Sequence, residues 1–93
     1  MKQELQDAQL LEQAIREQGA YDHVSVRFHR RALYVHAGSD DPIARLTPTA
    51  LGQYGLHFHS HTGRWEPMPL SGKVPDIAKE IIEILGPYLE RWN

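Results

Sequence analysis

Between residues 23 and 59 the chain alternates apolar and polar side chains with a period of two. No other feature constrains the fold as strongly. In "HVSVRFH", Val24, Val26 and Phe28 alternate with His23, Ser25, Arg27 and His29. In "ALYVHA", Leu33, Val35 and Ala37 alternate with Tyr34 and His36. In "QYGLHFHS", Tyr54, Leu56 and Phe58 alternate with His57 and His59. A period of two puts one set on each side of a strand, so it predicts strands with a single buried face. "IARL" reads as a short third strand, between the turn signal "GSDDP" and "TPTALG". "WEPMP" reads as a short fifth strand that its two prolines confine to an edge. The Arg30–Arg31 link suits a hairpin, although it is not the favoured Asn-Gly or Asp-Gly pair.

The flanks switch to a helical period. Leu5, Ala8, Leu11 and Ile15 recur three and four apart, which predicts an amphipathic helix over 2–18. Glu12 and Arg16 sit four apart as a favourable surface pair, and Gly19 is placed to close the helix in a left-handed conformation. Val74, Ile77, Ala78, Ile81 and Leu85 form a second stripe. Pro75 suits the first helical position and Asp76 the positive end of the dipole. Gly86–Pro87 is expected to break or kink this helix, with Leu89 and Trp92 packing onto the body beyond it.

The predicted fold is α+β, one domain over residues 1–93. It is a two-layer sandwich: an antiparallel meander of four to five strands, with the N- and C-terminal helices on one face. A chain of 93 residues makes one domain with a thin core. There are no cysteines, which excludes disulfides, thiolate zinc sites and cysteine nucleophiles. The N-terminus lacks a signal-type apolar segment, and no apolar run approaches the roughly 20 residues that span a bilayer. A soluble, cytoplasmic protein is expected, with no membrane partner.

Two helices cover one sheet face and leave the other open. Alternation sends Arg27, His29, Tyr34, His36, Arg45, His57 and His59 to that open face, which makes it the candidate binding surface. His61 joins them only if its strand reaches that far. Residues 20–73 carry a net charge of +2 and all six histidines, between ends that together carry −4. The basic middle is too mild to make nucleic acid the default partner.

Four chemistries suit such a face. His57 and His59, as His-x-His on a strand, can supply two imidazoles to zinc or another divalent transition metal, but a site needs further ligands. Histidines in opposite protonation states can act as general acid and base, and arginines can hold a phosphate, yet nothing in the sequence predicts a pocket. Exposed aromatic and basic residues on a sheet can stack single-stranded bases, with Tyr34 the one clear ring on this face. Tyr, His and Arg also suit a protein interface better than Lys or Glu. The leading expectation is a non-enzymatic interaction module without a cofactor, forming a homo-oligomer or binding a protein partner. Nucleic-acid binding and the His57/His59 metal site are the alternatives.

Trp65, in "HTGRWEPMP", is expected over the end of the core, stacked on by Arg64 or with Arg64 paired to Glu66. Asp40 and Asp41 read as turn formers. The helix–strand–strand–strand–helix order loosely resembles a double-stranded RNA-binding domain, and "SGKVPDIAKEIIEIL" is similar to its last helix. That resemblance implies a lysine cluster where this chain has Lys73 and Lys79 among Asp76, Glu80 and Glu83, so the family's activity is not carried over.

Overall fold

The alternating segments form one antiparallel sheet in the computed structural model, which describes residues 2–19, 21–38, 42–50, 52–59 and 63–89. The order along the chain is α1 (Lys2–Gly19), β1 (Val24–His29), β2 (Ala32–Ala37), β3 (Pro42–Ala50), β4 (Gln53–His59), β5 (Trp65–Gly72) and α2 (Val74–Leu89). The strands lie side by side in chain order, a five-stranded meander. The α+β sandwich with terminal helices is the architecture that the periodicity predicts.

Register follows the apolar pattern. Val26 faces Val35, Val35 faces Ala44 and Ala44 faces Phe58. Phe28, Leu33, Leu46 and Leu56 make a second such row. These rows and the helical stripes, among them Leu11, Ile15, Ile77 and Ile81, close into one core. Both helices therefore lie on the same side of the sheet. Asp7 of α1 is buried at this junction and accepts a hydrogen bond from Tyr54 Oη at 2.6 Å. A buried polar pair of this kind ties α1, which packs on β1, β2 and α2, to β4.

Both sheet edges are partly blocked, by different means. On the free edge of β1, Arg16 Nε donates to the Val24 carbonyl at 2.8 Å, and the Val26 amide donates to Glu12 Oε1 at 3.0 Å. The Glu12–Arg16 spacing that reads as a helix-surface pair thus also serves the neighbouring strand. At the other edge, β5 carries Pro67 and Pro69, which have no N–H to offer an incoming strand.

Several local expectations change. β3 continues through Thr47, Pro48 and Thr49, because Thr47 pairs with Gly55 and Pro48 with Tyr54. β5 runs on to Gly72, with extra residues bulged between its pairings to Gly55 and His57. α2 continues through Pro87 in its last turn rather than breaking at Gly86. Gly19 ends α1 without a positive φ. Its missing side chain instead leaves room for the Tyr21 ring, with which a Cβ at position 19 would collide. The resemblance to a three-stranded domain ends with the five strands. Asp40, Asp41, His61 and Trp92 lie outside the described residues, as does the side chain of Leu89.

Candidate functional site on the outer sheet face

The face opposite the helices is built by the polar half of each alternation. Arg27 pairs with Tyr34, Tyr34 with Arg45, Arg45 with His57 and His57 with Pro67. This single row crosses all five strands. His29 and His36 flank it from β1 and β2, and His59 flanks it from β4. The register thus puts Arg27, Tyr34, Arg45 and His57 in one row, with His29 and His59 on the same side as their strand neighbours in it, whereas His36 sits at a register shift and is buried.

Trp65 is also on this face, against the sequence expectation. His59 pairs with Trp65, so Trp65 and Pro67 share the outer side of β5. The indole stacks over Arg45, whose guanidinium carbon is 4.6 Å from the ring centroid. Its ring centroid is 4.7 Å from that of His59 at a shallow angle, and 5.9 Å from that of Tyr34, edge to face. Its arginine partner is therefore Arg45, two strands away, and Arg64 is exposed. A sequence signal for this existed. A hairpin centred on residue 62 brings 59 opposite 65, which sets the parity of the whole fifth strand.

The Trp65 cluster changes what lies beneath it. Arg45 Nε and His57 Nδ1 are sealed from solvent and have no hydrogen-bond partner among the described residues. Burial lowers the His57 pKa below the ordinary 6.5, and the nearby Arg45 charge lowers it further. His59 Nδ1 lies 3.1 Å from the Pro42 carbonyl, which can only accept. The ring nitrogen that donates in this contact is thus Nδ1. His36 is buried, at 6% exposure, whereas Arg27 and His29 are open to solvent. The candidate surface is therefore uneven: a half-covered centre at Trp65, Arg45 and His57, and an exposed flank at β1.

On that flank is a shallow hollow of about 370 Å³, lined by Arg27, Phe28, His29, Tyr34, His36 and Pro42. The hairpin beside it is a two-residue turn, since His29 pairs with Ala32. Arg30 and Arg31 both have positive φ, 50° and 65°, as a type I′ turn requires. Neither is the glycine or asparagine that adopts this region at low cost.

His57 and His59 share the face two residues apart, but among the described residues no three His, Asp or Glu side chains come together as a metal site would need. Also among the described residues, no helix is long and apolar enough to cross a membrane. No family model matches the chain, and neither a curated protein nor a solved structure is similar to it.

Proposed function

We propose that the chain is a small non-enzymatic interaction module that works through the outer face of its sheet, by self-association or by holding another macromolecule. One observation carries the reading. Trp65, Tyr34 and Arg45 meet at the centre of the one sheet face that the helices leave uncovered. Trp, Tyr and Arg are the side chains that dominate the centres of binding surfaces. The partly blocked edges support it as well, because they disfavour strand addition as a route to partners.

Photo-crosslinking from opposite faces tests the proposal. A diazirine-bearing residue is placed at position 27, on the outer face, or at position 83, exposed on α2. In the source cells, position 27 should give discrete covalent adducts and position 83 few or none. Equal yields from the two positions, or adducts from position 83 alone, would contradict the assignment of the face.

A further inference from the structure

We infer that the occupant of the outer face is single-stranded RNA, lying across the sheet from the β1–β2 hairpin towards Trp65. This rests on the reading of that face as the docking surface and names the partner's chemistry. The first support is charge. Among the described residues, alternation places Arg27 and Arg45 on the face and no carboxylate. The hairpin tip adds Arg30 and Arg31. These are arginines without a lysine among them, and the planar guanidinium fork matches phosphate oxygens in pairs. The whole chain has a net charge of −2, so these arginines are not part of a general positive charge. A second copy presenting the same face would set arginine against arginine.

The second support is the pair of rings. Tyr34 and Trp65 are neighbours at 5.9 Å, each half-exposed. Every base has a π face, so a ring such as Tyr34, with Trp65 set edge to face beside it, holds a base without sequence preference. An acidic peptide would use the arginines and leave the rings idle. The third is the hollow of about 370 Å³ beside Tyr34. It is of a size to take a base with its sugar. The rings of His29 and Tyr34, 6.3 Å apart, give it flat walls, and Arg27 gives it a cation. Unpaired bases are the ordinary presentation of RNA loops and ends, and the 2′-hydroxyl offers the exposed His29 a hydrogen-bond partner.

The test follows Trp65 emission in a Trp92→Phe background, titrated with a ten-nucleotide oligouridylate at several salt concentrations. Saturable quenching is expected, with log K falling against log salt at a slope of about −2, as phosphate contacts from the three exposed arginines, Arg27, Arg30 and Arg31, to a single strand give. Tyr34→Leu should weaken binding about tenfold and leave the slope unchanged. Arg27→Gln, at an exposed position, should weaken it and make the slope shallower. Absence of quenching, or binding indifferent to both substitutions, would overturn the inference. Equal affinity for oligodeoxythymidylate would overturn the assignment to RNA. Outer-face crosslinks without oligouridylate binding would remove RNA as the occupant and leave the docking surface standing.

Discussion

Two features at the scale of single residues make predictions. Arg30 and Arg31 hold a left-handed conformation that costs L-residues about 1–2 kcal/mol each. Arg30→Asn with Arg31→Gly should therefore raise stability by about 1 kcal/mol, read as a higher urea midpoint at unchanged slope. In the RNA reading the same variant should bind oligouridylate more weakly, since it removes two cations from the tip. His57 sets a pH dependence. Its folded pKa lies below the ordinary 6.5, so the unfolded chain takes up the proton first as pH falls. This contribution is complete above the ordinary value and is lost as pH drops below 6.5 towards the lower folded pKa. Urea midpoints at pH 7.5 and 5.0 should show the loss, and His57→Gln should reduce it. Arg45→Gln should move the His57 ring titration, followed by NMR, back up towards 6.5, because it removes one of the two causes.

At the scale of elements, the strands and helices were legible in the sequence because a period of two and a period near 3.6 are direct prints of burial. The row of Arg27, Tyr34, Arg45 and His57 was legible for the same reason, whereas the burial of His36 beside a register shift was not. What local pattern could not show was pairing. "TPTA" looks like a turn until β4 pairs with it, and Pro48 is accommodated in β3 beside a register shift. Trp65 was misread because its side depends on the centre of a turn and on a bulge further along β5, neither of which a short window displays. The edge caps also depend on pairing, since Glu12 and Arg16 reach β1 only once α1 is docked. Replacing Glu12 or Arg16 by Ala should each cost about 1 kcal/mol by urea unfolding. The double variant should also form aggregates, detected by light scattering, because it bares the Val24 and Val26 edge.

At the scale of the whole molecule, the proposed function assigns folding to the acidic helical layer and binding to the arginine-bearing sheet face. The helices close the core on one side. The opposite side carries the rings, the cations and the hollow. That division depends on Trp65 being a surface ring laid over Arg45 rather than a core residue. Its most direct test is the urea unfolding of Trp65→Ala beside Leu46→Ala, whose side chain is fully buried. Losing a stacked surface ring should cost about 1–2 kcal/mol, against about 2–5 kcal/mol for Leu46→Ala. The Trp65→Ala protein should keep its fold and lose outer-face binding. A loss of about 3–5 kcal/mol, the range of a core tryptophan, would put Trp65 inside and take away the centre of the proposed surface.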